Sequence, residues 1–176
     1  MDTNLFLLLR CIFSKLAKSL SWADKIWMGC IPTSHSFTFW RLMHRKVPTD
    51  DNLRSRGCII VSACCFCLNT DETSNHLFLW CPFATALWSW LGGKLNRVMD
   101  CTSVLSILSC IPTRCSSQVA DIYLAAVIHT VHTIWLSRNS ICFPWKAAIV
   151  QSTKVNVTPV LNYFIYLIIW LSLESF

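Results

Sequence analysis

Carboxylates are scarce in this chain. Nine Asp and Glu stand among 176 residues, and beyond residue 95 only Asp100, Asp121 and Glu174 remain. Two-metal nuclease chemistry of the ribonuclease H kind needs several convergent carboxylates, so no such site can be assembled from the second half of the sequence. Asp50-Asp51 follows Pro48-Thr49 and has neither a tyrosine nor an apolar strand beside it, unlike the metal-binding aspartate pair of a polymerase palm. Charge of either sign is thin, at 14% of residues against a usual share of about 25%. A chain this short of solubilising surface, with 54% hydrophobic residues, nine Trp and ten Phe, is expected to meet a partner or another apolar surface. A membrane-spanning run is also missing. Residues 160–173 carry no charge but number only 14 and include Asn162, whereas a spanning helix needs about 20 apolar residues. A secretory signal fails too, because Asp2 stands where basic residues belong and Arg10 interrupts the first apolar run. With 11 cysteines, an odd number, and no such signal, a reducing, intracellular setting (cytoplasm or nucleus) is expected. No internal repeat is visible.

The most specific pattern present is Cys64-x2-Cys67-x8-His76-x4-Cys81, four soft or borderline donors within 18 residues. A closed tetrahedral zinc site needs this donor set. A tight C-x2-C turn brings two sulfurs to one side, and the second pair must come from another element, reachable if His76 sits at or just before a helix start. Cys65 offers a C-x-C alternative with Cys67, although C-x2-C is the commoner zinc geometry. Four protein ligands would fill the shell and leave no position for a hydrolytic water. Glu72 therefore reads as a helix-start residue or a support for the ligands.

The residues around these donors carry a family pattern. Trp40-Arg41-Leu42, Pro48-Thr49-Asp50-Asp51-Asn52-Leu53, Arg56-Gly57, the Cys64 and Cys67 turn, Glu72-Thr73, His76-Leu77-Phe78, Cys81-Pro82-Phe83 and Trp88 follow in order. The run resembles the plant reverse-transcriptase zinc-binding domain, a module near the C-terminus of LINE-type (non-LTR) retrotransposon polyproteins and fragments derived from them. The resemblance covers about residues 22–93, with a weaker echo at Ile134-Trp135 and Arg138-Asn139. It implies a zinc-binding module of retroelement origin and says little about biochemical role.

Periodicity predicts a mainly α fold, a small helical domain stapled by a zinc-knuckle-like loop, with an apolar C-terminal helix. Leu5, Leu8, Leu9, Ile12, Leu16 and Leu20 mark an amphipathic helix over 1–20. A second short helix starts near Ser21 and carries Trp22, Ile26 and Trp27. Over 36–46, Phe39, Leu42 and Met43 alternate with Arg41, His44, Arg45 and Lys46 until Pro48. Thr49 is expected to cap the next helix, with Asp50 and Asp51 in its first turn, and Gly57 to end it in the left-handed region. Leu77, Trp80, Cys81, Ala84, Trp88 and Leu91 predict one helix face, ended by Gly92-Gly93. Short helix near 104–108 and a long one through Leu124, Val127, Ile128, Val131, Ile134 and Trp135 follow. His129 and His132 share a face three residues apart but lack a further ligand in that helix, so they read as ordinary histidines, as do His35 and His44. The expected division is an N-terminal helix (1–20), the zinc-binding module (21–95), a helical extension (96–139), and a linker with apolar tail (140–176).

The function expected from these readings is a non-catalytic zinc-binding module from a reverse-transcriptase polyprotein. It would hold zinc through Cys64, Cys67, His76 and Cys81 and assist binding of RNA or DNA through the basic residues Arg41, Arg45, Lys46, Arg54 and Arg56. The rival readings are a structural or protein-interaction module that packs on a polymerase domain, and a membrane-associated fragment held by the tail.

Overall fold

The computed structural model describes residues 25–29, 31–110 and 116–143. The helix expected over 1–20, Trp22 of the second helix, and the apolar tail helix at 160–173 lie outside them. Among the described residues the fold is all helical, with no strand. A 3₁₀ turn at Lys25–Trp27 is followed by α1 (Thr33–Met43), α2 (Asp50–Arg54), a π-helical turn at His76–Trp80, α3 (Pro82–Leu95), α4 (Val104–Ser109) and α5 (Ser117–Cys142).

α5 is the axis of the packing. Ser116 starts it by accepting a hydrogen bond from the Val119 N–H at 3.4 Å, and every residue from Tyr123 to His132 is buried. A helix apolar all round needs cover all round, and α1, α3, α4, the 3₁₀ turn and the π turn supply it. By length and composition α5 could cross a membrane, but burial on successive residues is the pattern of a core helix. α1 contributes Phe39 and Leu42, α3 Ala84, Leu87, Trp88 and Leu91, and the π turn Leu77, Phe78 and Leu79, all in one hydrophobic cluster with α5. The Trp88 indole donates to the Phe78 carbonyl at 2.7 Å, which fixes α3 against the π turn.

The single helix read over 77–91 is in fact two elements. Pro82 disfavours helical backbone at the residue before it, and Cys81 is extended (φ −59°, ψ 138°). This break turns Trp80 out to solvent, at 53% exposure, rather than onto the buried face. Nor do Gly92-Gly93 end the second helix, which runs on to Leu95 and stops on Asn96 in the left-handed region (φ 50°). Gly92 is needed for a different reason. A Cβ there would lie 2.5 Å from the Arg97 carbonyl oxygen, which turns back over the helix end.

α1 also ends before the expected Lys46. Lys46 N–H bonds the Arg41 carbonyl at 2.7 Å and Arg45 N–H the Leu42 carbonyl at 3.0 Å, the paired bonds of a Schellman ending. Arg45 takes the left-handed position (φ 53°), one usually given to glycine. Gly57 plays that part after α2, with φ 88°, as its sequence position predicts. Thr49 occupies the N-cap position of α2 but makes no capping bond. Its hydroxyl is drawn instead into a polar knot with Asp51, Asn52 and Ser74, which ties α2 to the segment just before His76.

Candidate metal centre

Cys64 ends an irregular stretch, and the chain then turns through Cys65–Cys67. Leu68 in the left-handed region (φ 56°) completes the turn. Two backbone bonds close it, Leu68 N–H to the Cys64 carbonyl and Cys64 N–H to the Thr70 carbonyl, each 2.8 Å. The loop thus presents the Cys64 and Cys67 sulfurs to one side.

The second pair depends on the π turn. At 3.6 residues per turn, positions five apart in an α-helix point about 140° away from each other. A π turn bonds residue i to i+5, and Cys81 N–H reaches the His76 carbonyl at 2.7 Å. That extra residue per turn brings His76 and Cys81 towards the same side. Cys81 stands at the N-cap of α3, just before its first residue Pro82, where the positive end of the helix dipole favours an anionic ligand set.

The outcome is a cluster in which one donor atom from each of Cys64, Cys67, His76 and Cys81 lies within 4.8 Å of every other. The Cys64 and Cys81 sulfurs are 3.7 Å apart. A tetrahedral ion with metal–sulfur bonds near 2.3 Å has an edge of about 3.8 Å, so the spacing fits. Cys67 Sγ is 3.3 Å from His76 Nε2, and the Thr70 hydroxyl lies 3.1 Å from the same nitrogen. Cys64 and Cys81 are fully buried, while Cys67 and His76 are half-buried.

The two cysteines of the turn differ electrostatically. Burial pushes the Cys64 thiol up to about 12. The Asn69 backbone N–H, helped by His76 and Thr70, draws Cys67 down to about 6. Cys64 therefore needs a cation beside it to be held as thiolate, and a divalent metal ion would supply one. Cys65, the alternative to Cys64, is not in the cluster. Its pKa too is raised, by burial and by the neighbouring Cys142 thiol at the end of α5, so it is position and not acidity that separates it from Cys64.

Residues 9–88 match the family model described as zinc-binding in reverse transcriptase. The matched segment contains all four donors and stops at Trp88 within α3. No curated protein and no solved structure matches the chain.

Beyond that segment, α5 braces the knuckle. Arg138 donates from Nη2 and Nε to both carboxylate oxygens of Glu72, at 2.8 and 3.1 Å, and both residues are buried, 7% and 2% exposed. Asp50 at the start of α2 adds a longer contact, 3.6 Å from Nη2. Burial alone would lower the Arg138 pKa, but its hydrogen bond and ion pair with Glu72 outweigh this and raise it. Glu72 thus anchors Arg138 beside the donor loop rather than starting a helix. Only the echo at Arg138-Asn139 hints at this pair in the sequence.

Of the basic residues singled out, Arg41 lies on α1, and Arg45 and Lys46 form the exposed turn after it. Arg54 is engaged by Asp71 at 2.8 Å and by the Ile60 carbonyl, and Arg56 is exposed. His35, read as an ordinary polar residue, packs against His132 and His129 with ring centroids 3.8 and 4.4 Å away. Thr38 bonds His132 Nδ1 at 3.0 Å. Spacing within one helix could not show a third histidine arriving from α1.

Proposed function

We propose that the chain is a non-catalytic, zinc-stapled helical module of retroelement origin that helps a nucleic acid stay bound. The observation that carries the metal reading is the convergence of three sulfurs and one imidazole within 4.8 Å in a segment matching a zinc-binding family. Zinc suits three thiolates and one imidazole. Four protein donors complete its shell, so the ion would fasten the knuckle to the start of α3 rather than activate water. The basic residues supply the nucleic-acid part. Arg41, Arg45, Lys46 and Arg56 offer cations on the surface, whereas the Arg54 charge is partly spent on Asp71.

Cobalt substitution tests the metal reading. Co²⁺ added to metal-free protein is expected to give the visible absorption of a tetrahedral ion together with sulfur-to-cobalt charge transfer. The charge-transfer band should fall in Cys67→Ser. Octahedral absorption without charge transfer would overturn the assignment.

A further inference from the structure

α1 spends two large aromatics on its outer side. Its core requirement is met by Ser36, Phe39 and Leu42, all buried. Phe37 is 39% exposed and Trp40 is half-buried, packed against the core. Their rings are nearly parallel, 12° apart with centroids separated by 6.1 Å. Cations stand over both: Arg41 at 5.5 Å from the Phe37 centroid and Lys46 Nζ at 5.9 Å from that of Trp40. His44 lies 4.5 Å from Trp40. From Thr33 to Lys46 the chain has three Lys or Arg and no acidic residue.

We infer that this face is a binding site for single-stranded nucleic acid, with bases stacked on Phe37 and Trp40 and phosphates met by Arg41, Arg45 and Lys46. The inference deepens the proposed function and rests on its reading of the basic turn as a phosphate-contacting surface. Every base has a π face, so stacking on aromatics beside a cationic track binds single strands with little regard to sequence. In a duplex those faces are covered. A nucleotide exchanges each surface cation–π contact for a stacked base and a phosphate ion pair, and an exposed cation–π contact is worth less than a stacked base. The turn geometry points the same way. The left-handed backbone at Arg45 lets the chain double back, which puts Lys46 over the Trp40 ring instead of beyond the helix end. A glycine there would make the same turn at lower backbone cost but would lack the charge.

The test is fluorescence anisotropy of labelled oligouridine, oligothymidine and a DNA duplex of equal length, titrated with zinc-loaded full-length protein at two salt concentrations. Phe37→Ala and Trp40→Ala should each weaken single-strand binding by about tenfold, leave the salt slope unchanged and spare duplex binding. The triple variant Arg41→Ala, Arg45→Ala, Lys46→Ala should weaken all three ligands and flatten the single-strand salt slope by about 0.7 for each lost phosphate contact. Because Phe37 is on the surface, its variant is expected to keep full zinc content and helicity, which separates lost stacking from lost fold. Wild-type affinity in Phe37→Ala and Trp40→Ala, with charge-dependent binding intact, would overturn the stacking site and leave the phosphate reading standing. No binding to any of the ligands at low salt would overturn both.

Discussion

Arg138 and Glu72, 66 residues apart in sequence, form a two-point ion pair at 2.8 and 3.1 Å in the interior of the fold. Glu72 lies between the Cys67 turn and His76, while Arg138 is near the end of α5. The pair therefore ties α5 to the loop that carries the candidate donors. Removing one partner of a buried pair strands the other charge, typically at about 3–5 kcal/mol, whereas replacing both by apolar groups costs far less. Arg138→Met and Glu72→Gln should each lower stability by about that amount in chemical denaturation. The double variant Glu72→Leu, Arg138→Met is expected to recover most of the loss. Additive losses in the double variant would show that the two residues act separately.

The adjacent glycines of α3 should respond with opposite signs. A Cβ at Gly92 collides with the backbone oxygen of Arg97, while at Gly93 it meets nothing within 4 Å. Gly92→Ala is expected to destabilise by about 1–2 kcal/mol, an overpacking cost partly offset by helix propensity. Gly93→Ala should stabilise by about 0.5–1 kcal/mol. Thermal melts of the two variants check this, and equal shifts in one direction would contradict the packing described.

Acid should loosen the contact of α1 with α5. Burial holds His35, His129 and His132 at about 4, 3 and 4, below the ordinary 6.5; the His35 ring packs against the other two, and Thr38 bonds His132. The folded state keeps them neutral, whereas the unfolded chain takes up protons as pH falls through 6.5. Their stabilising contribution is thus complete above pH 6.5 and declines towards pH 4, by at most about 1.4 kcal/mol per pH unit for each histidine. Urea midpoints at pH 7, 6 and 5 in constant zinc should fall less steeply for His129→Gln than for wild type. The candidate metal donors are the same in both proteins, so identical slopes would rule out the histidine cluster as the source.

Much of this organisation was legible because it is local. The Cys64, Cys67, His76 and Cys81 spacing lies within one loop and one turn, and α1 and α5 announce themselves by apolar periodicity. The helix break at Cys81 was legible in principle from Pro82, but the apolar stripe through Trp80 and Ala84 masked it. What could not be read joins distant segments. Glu72 finds Arg138, and His35 finds His132, only after α5 has docked across the module, and neither residue carries a local sign of its partner. Thr49 shows a subtler limit. Its sequence position is that of a cap, yet Ser74, 25 residues on, competes for its hydroxyl.

The central claim is that Cys64, Cys67, His76 and Cys81 together hold one zinc ion that the fold requires. Metal analysis of the purified full-length protein, with single variants, tests it most directly. One zinc per chain is expected in the wild type and in Cys65→Ser, and none in Cys64→Ser, Cys67→Ser, His76→Ala or Cys81→Ser. The four depleted variants should also lose helical signal, since metal-linked stabilisation at such sites is typically about 10 kcal/mol or more. A wild-type protein without stoichiometric zinc, or loss of zinc in Cys65→Ser with retention in Cys64→Ser, would contradict the account.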